Sequence, residues 1–280
     1  MSGNRTRVGA AALVVAVAAG AAACYYYLEQ LSPPGAPVAP LSPPPQAASP
    51  AHAAAPQILE TPASPPRLPQ LSDSDGDVLR ALDEIVGNRA LMQLFQTDKV
   101  IHRIVATVDN LPRDQVPVTV MPVLPAAGMF ATATEDGELY IVPDNAARYN
   151  AYVRLADAVD TRRLVALYLH LYPLFQQAYV DIGYPNRYFN DRLLEAIDNM
   201  LAAPDVKGPI KLVQPHVLYL FADPELQNAS IGQKILIRLG SQNEAIIKAK
   251  LQAIRQELQR HMRAADTGAG RQPQPVRGLN

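Results

Sequence analysis

The chain has 280 residues, 25 Lys and Arg against 26 Asp and Glu for a formal net charge of −1, and one cysteine. This balance argues against nucleic-acid binding, which calls for a strongly basic face. A single cysteine excludes an intramolecular disulfide and a thiolate-based metal cluster.

Arg5 and Arg7 precede an uncharged run from Val8 to Leu28, close to the roughly 20 residues a helix needs to cross a bilayer core. Arginines before the span and Glu29 just after it place residues 1–7 in the cytoplasm, and Tyr25, Tyr26 and Tyr27 fall where an interfacial aromatic belt would lie. Residues 8–28 therefore read as a retained single-pass transmembrane helix. A cleaved signal peptide ending near Ala21-Ala22-Ala23 and a lipoprotein signal acylated at Cys24 are the competing readings. All three export the remainder of the chain.

Residues 29–71 read as a disordered Pro/Ala-rich linker, with 13 of the 26 prolines between 32 and 70. Such a composition buries no core. As a polyproline-rich spacer of about 3.1 Å per residue it reaches up to roughly 120 Å. A tether fits this segment better than a ligand for a proline-recognising domain.

Residues 72–263, with 20 basic and 23 acidic side chains, are long enough for one core without disulfide or metal. Ser72 or Ser74 caps a first helix with Val78, Leu79, Leu82 and Val86 at helical spacing, ended by Gly87. Asp73, Asp75, Asp77 and Glu84 also imitate a calcium loop, but Val78 stands where that loop needs glycine. A short helix Arg89–Phe95 and a longer one from Asp98 to about Val108 follow, the second with Ile101, Ile104, Val105 and Val108 inward and His102 on the solvated side. Pro112, Pro117, Pro122 and Pro125 mark an extended passage. Phe130 to Val142 then reads as a β-hairpin turning at Asp136-Gly137. Asp144 or Asn145 caps a helix to about Ala158.

Asp160 or Thr161 opens the central element, Thr161 to Ile182, apolar nearly all round and so expected to be buried. Pro173 should kink it. Tyr168, Tyr172, Phe175 and Tyr179 share one face, and His170 is expected to be a hydrogen-bonded core residue. Gly183 closes the helix and Tyr184 to Asn190 forms a corner. The next helix, to Ala202, aligns Asp191, Glu195 and Asp198 on one face, as an acid/base pair or as a solvated face partnering Arg187 and Arg192. Lys207 to Phe221 holds one or two short strands broken by Pro215, and Asp223 starts a helical turn. Ser230 caps a helix stopped by Gly240, and Ser241 to Glu244 reads as a capping box opening a final helix to about Met262. The basic excess from Lys234 to Arg263 reads by default as a solvated face, with docking against the acidic first helix or a basic contact patch as the alternatives. Residues 264–280 read as a disordered tail. The fold class expected is mostly α, one helical domain around a buried, Pro-kinked central helix with a small hairpin and short strands.

The strings ARYNAYVRLADAVDT, YPLFQQAYVDIGYPNRYFNDRLLEAID, VLYLFADPEL and GQKILIRLGSQNEAIIKAKLQAIR resemble a bacterial family, domain of unknown function 3014, over about residues 72–260. Leu239-Gly240-Ser241-Gln242-Asn243 departs from the Met-Gly-Pro-Glu-Asn expected there. The resemblance implies a membrane segment, a Pro/Ala-rich linker and then the domain, with the domain in the periplasm and the anchor in the inner membrane. It implies no activity, cofactor or catalytic residue.

The sequence contains no GxSxG, HExxH, phosphate-binding loop, CxxC or dinucleotide fingerprint. The function expected is a non-enzymatic interaction module of the envelope, partnered by envelope proteins, with no cofactor and no metal. The alternatives are an envelope hydrolase using Asp191 and Glu195 near Arg187, or a small-ligand or metal sensor using the tyrosine-rich centre. The candidate binding patch is the corner Tyr184, Asn186, Arg187, Tyr188, Asn190 and Asp191, where Arg and Tyr are suited to anchor a partner; the competing and favoured reading is a structural corner in which Arg187 pairs with Asp191 and the rings pack.

Overall fold

A computed structural model describes residues 68–114, 121–215 and 218–269. The expected transmembrane helix at 8–28 and almost all of the expected linker lie outside these residues, as does the chain beyond 269. No described helix is long and apolar enough to cross a membrane.

After a single 3-10 turn at Leu71–Asp73 come α1 (Asp75–Val86), α2 (Arg89–Met92) and α3 (Val100–Asn110). Ser74 occupies the N-cap position of α1, but its hydroxyl donates to Leu71 O at 2.8 Å and caps no amide. Gly87 ends α1 at φ 60, a left-handed conformation that favours glycine. The hairpin forms as expected from β1 (Thr132–Glu135) and β2 (Glu138–Ile141), with Asp136 and Gly137 at φ 51 and 78. Positive φ at both central residues matches the right-handed twist of the strands.

A 3-10 helix at Pro143–Tyr149 then leads into α4 (Asn150–Ala158). The single capped helix expected here is therefore divided. Asn145 is fully buried and accepts from Ala131 N and Arg148 Nη1 instead of capping.

The central helix α5 spans Thr161–Asp181, with the Asp160 side chain capping Arg163 N at 2.8 Å. It is not buried on every side. Ala166, Pro173, Gln177 and Val180 recur at helical spacing along an exposed strip, and Leu169 and His170 beside it are only half-buried. The other faces of α5 meet α1, α3, α6 (Phe189–Leu201) and α9 (Ser241–Ala269). Small and amphipathic residues fill the one side left to solvent. Pro173 lies on that strip, where the Leu169 carbonyl deprived of its usual donor can be hydrated. His170 has no hydrogen-bond partner among the described residues, contrary to the expectation of a bonded core histidine. His102 is half-exposed, with Nε2 3.5 Å from an Asp181 carboxylate oxygen at the end of α5.

Two short strands, β3 (Lys211–Val213) and β4 (Leu220–Phe221), extend the hairpin into one antiparallel sheet of order β1-β2-β3-β4. Leu139 pairs with Leu212, and Leu212 with Phe221. Asp223 caps a turn of helix, α7 (Pro224–Gln227), and Ser230 with Gln233 forms a reciprocal capping box opening α8 (Ile231–Leu239). The box expected at Ser241–Glu244 is absent: Ser241 is already helical and buried Glu244 pairs with Lys248 at 2.7 Å. The last helix runs beyond Met262 to Ala269. It packs mainly on α4, α5, α6 and α8, whereas α1 packs mainly on α2, α3 and α5, so the alternative of docked chain ends is not among the main helix contacts.

The helices share one large core, in which Phe175, Tyr179 and Phe189 are essentially inaccessible. Each such side chain contributes about 1.5–3 kcal/mol of burial. A second, small cluster of Leu212, Phe221 and Ile237 fastens the sheet to α8.

Candidate functional site

The corner between α5 and α6 is built on aromatic packing. Tyr179 and Tyr184 stack at 4.6 Å between ring centroids, Phe175 and Phe189 at 5.6 Å, and Tyr168 meets Phe175 edge-on at 5.5 Å. Burial pushes the phenols of Tyr172 and Tyr179 up to about 12, so both stay protonated donors at neutral pH. Tyr172 OH donates to Gln176 Oε1, which also accepts from Phe189 N, while Gln176 Nε2 donates to Arg187 O. One glutamine thus pins both sides of the corner. The void among Tyr168, Phe175 and Phe189 is about 20 Å³, about the size of one water.

Beneath the corner lies Asp109, a buried carboxylate of α3. Arg113 Nη2 reaches Oδ2 at 2.6 Å, Arg192 Nε reaches Oδ1 at 3.1 Å, and Tyr184 OH donates to Oδ2 at 3.2 Å. Arg113 Nη2 also donates to Tyr184 OH at 2.5 Å, and Arg192 Nη2 donates to the Asp109 carbonyl. Arg192 then bridges outward to Glu195 at 2.7 Å. Two arginines, one tyrosine and one aspartate lock α3 to α6, and the buried charge is both paired and hydrogen-bonded.

The six candidate patch residues divide in two. Tyr184 is half-buried in the Asp109 clamp, and Asn190 is buried, accepting from Tyr168 OH at 3.3 Å and donating to Met262 Sδ at 3.4 Å. Asn186, Arg187, Tyr188 and Asp191 are exposed. Arg187 makes no ion pair among the described residues. The expected Arg187–Asp191 pairing is therefore not formed, and Arg192 is the arginine that bonds. On the carboxylate face, Glu195 goes to Arg192 and Asp198 to Arg255 at 2.5 Å. Burial pushes the Asp191 carboxyl above its usual range although the residue as a whole is exposed. No group of three or more His, Cys, Asp or Glu among the described residues is arranged to hold a metal ion. Asp75, one of the calcium-loop mimics, instead accepts from Lys99 N and Val100 N, and Asp77 pairs with Arg80.

Asp109 and Arg113 are not among the site residues expected from the sequence, yet the sequence carries a signal for Asp109. Position 109 follows Ile101, Ile104, Val105 and Val108 on the inward side of α3. An acid on a buried face requires a cationic partner.

The fold and this corner define a mostly helical domain carrying a small antiparallel sheet. The sequence model of a family described as Protein of unknown function (DUF3014) matches residues 100–255, from the first residue of α3 into α9, and the chain belongs to that family. Neither the curated proteins nor the solved structures contain a match to it.

Proposed function

We propose that the chain is a bacterial inner-membrane protein, anchored through residues 8–28, whose exported domain acts as a non-enzymatic interaction module for an envelope protein. One observation carries the assignment of the contact face. Of the seven large hydrophobic side chains exposed among the described residues, Val180, Ile182 and Tyr188 fall within nine positions of one another. Arg187, which has no ion-pair partner there, adjoins them in the sequence, and Tyr184 between them is held by the Tyr179 stack and the Asp109 clamp. An exposed Tyr and Arg beside apolar side chains is the composition of an interface hot spot.

Two features weigh against the other readings. A hydrolase at Asp191 and Glu195 needs two carboxylates free to act on one bond, and Glu195 is held by Arg192. A sensor at the tyrosine centre needs a cavity of about 300 Å³ or more, far above the void of about 20 Å³.

The test places a photo-crosslinking residue at Arg187, Tyr188 or the distant Asp157 in the full-length protein in cells, with mass spectrometry of the adducts. Reproducible capture of one or two envelope proteins at 187 and 188, lost at 157, is expected. Equal capture at all three positions, or none at 187 and 188, overturns the assignment.

A further inference from the structure

The seam between the sheet and the helical body is open as a cleft of about 660 Å³, inside the range of about 300–1,000 Å³ typical of small-molecule sites. One wall is apolar, formed by Val206, Ile210 and Ile237. The lining also includes the first turn of α9, Ser241, Gln242 and Asn243, entered through Gly240 at φ 82. The opening amides of a helix have no intrahelical acceptor. Here the amide of Glu244 is the first to close the turn, on Gly240 O at 2.9 Å, and no side chain among the described residues caps the three before it. In a helix of 29 residues these amides carry the positive end of the macrodipole.

A second, independent feature points the same way. Arg238 lines this cleft and is only 8 % exposed, yet its Nε has no hydrogen-bond partner and no carboxylate lies within ion-pair distance among the described residues. Its guanidinium lies over the Phe221 ring at 5.0 Å, which accounts for the flat face of the group and not for the N–H at its edge. A buried cation without a counter-ion is costly unless a ligand supplies one. The lining holds a second cation, Lys207, loosely paired with Asp205 at 3.7 Å, and no acidic residue.

We propose that this cleft binds a small organic anion, with its oxyanion head on the Ser241–Asn243 amides beside Arg238 and its apolar body against Val206, Ile210 and Ile237. A carboxylate and a phosphate monoester share the required head chemistry. The site is separate from the Tyr184–Asp191 corner, and its failure leaves the interaction reading untouched.

The experiment is calorimetric titration of the full-length, detergent-solubilised protein with phenyl phosphate, benzoate and the neutral benzyl alcohol. One or both anions bind once per chain with a Kd below about 1 mM, and the alcohol does not. The head preferred by the tighter anion identifies the source as phosphate or carboxylate. Gln242→Glu keeps the fold, because an acid in the first turn suits the helix dipole, but it repels the ligand and weakens binding by at least about 10-fold, or about 1.4 kcal/mol. Arg238→Met, which keeps most of the buried bulk, weakens it comparably. No anion binding up to about ten times that concentration, equal binding of the alcohol, or unchanged affinity in folded Gln242→Glu overturns the proposal.

Discussion

The carboxylate of Asp75 accepts the backbone amide of Val100 at 2.8 Å, and its other oxygen accepts that of Lys99 at 2.7 Å. An acid in the first turn of α1 therefore caps α3, 25 residues further along the chain. Lys99 sits at φ 50, a left-handed conformation unfavourable for a residue with a Cβ, and the two hydrogen bonds from Asp75 hold it there. Asp75→Ala is expected to destabilise the protein by about 1–2 kcal/mol, the usual loss for a helix cap. Asp77→Ala, which removes only an exposed pair with Arg80, should stay within about 0.5 kcal/mol of wild type. Urea unfolding of the two variants followed by far-UV circular dichroism checks the contrast. Equal losses would mean that Asp75 acts through the α1 dipole and not as a cap on α3.

Local signals in the sequence report what a short stretch does by itself. Asp160 at the start of α5, the Asp136-Gly137 turn, Gly183 at the end of α5 and Ser230 at the start of α8 each carry their chemistry within four residues, and each stands where its pattern places it. The clamp at Asp109 joins residues up to 83 positions apart, and no spacing rule reaches that far. The joining of β2 to β3 is non-local in the same way, since a 3-10 helix and three α-helices separate Leu139 from Leu212. Buriedness around α5 was overestimated because periodicity counts apolar residues and not neighbours. Ala166, Pro173 and Val180 are apolar, but no element covers them. The cleft beside α9 has no linear signature, because its lining comes from the 3-10 helix, the approach to β3 and the α8–α9 junction.

Removing Asp109 should be the most damaging single change at the corner. Its carboxylate is buried, with a side chain 7 % exposed, while Arg192 is 15 % exposed and would keep only Glu195 and the carbonyl of residue 109. Breaking a buried pair by deleting one partner costs about 3–5 kcal/mol, and the exposed Arg113 and half-buried Tyr184 partly rehydrate, so about 3 kcal/mol is expected for Asp109→Ala. Glu195→Ala, at the outer end of the same chain of contacts and 60 % exposed, should cost under about 1 kcal/mol. Chemical denaturation of both variants measures the difference. Comparable losses would show that Arg192 holds α3 only while Glu195 fixes it from within α6.

Gly232 and Gly76 make a steric pair of opposite sign. The first turn of α8 is pressed against the end of α3, with Ile231 N and Gly232 N donating to Arg113 O and Leu111 O at 2.7 and 2.9 Å. A Cβ at 232 would stand 2.8 Å from Met200 Cγ and 3.2 Å from Leu111 O. The methionine can shift, whereas the carbonyl is fixed by its own hydrogen bond, so Gly232→Ala should destabilise by about 1–3 kcal/mol. At Gly76, inside α1, nothing lies within 4 Å of the added atom. There the substitution lowers the entropy of the unfolded chain and should stabilise by about 0.4–1 kcal/mol. Thermal unfolding reads both, as a fall in Tm for the first and a rise for the second. A neutral Gly232→Ala would show that α3 and α8 are free to separate at this contact.

Asp191 supplies a pH-dependent prediction at the proposed contact face. Burial raises its carboxyl above the ordinary value of 3.8, even though its place in the first turn of α6 favours the charged form through the helix dipole. With the folded-state value the higher of the two, the folded chain holds more protons than the unfolded chain in the interval between them. Stability therefore falls as pH rises through that interval, and the whole penalty is present above it. Asp191→Asn removes the charge while keeping the shape, so the variant should be more stable than wild type at about pH 7. The gain should shrink as pH falls towards 3.8 and vanish well below it, where both states are protonated. Because the residue is largely exposed, solvent screening limits the gain to under about 1 kcal/mol. Urea midpoints measured at about pH 7 and at about pH 3.5 decide the matter. A variant less stable than wild type at neutral pH would mean that the dipole of α6 outweighs burial and that the charge at 191 supports the helix it opens.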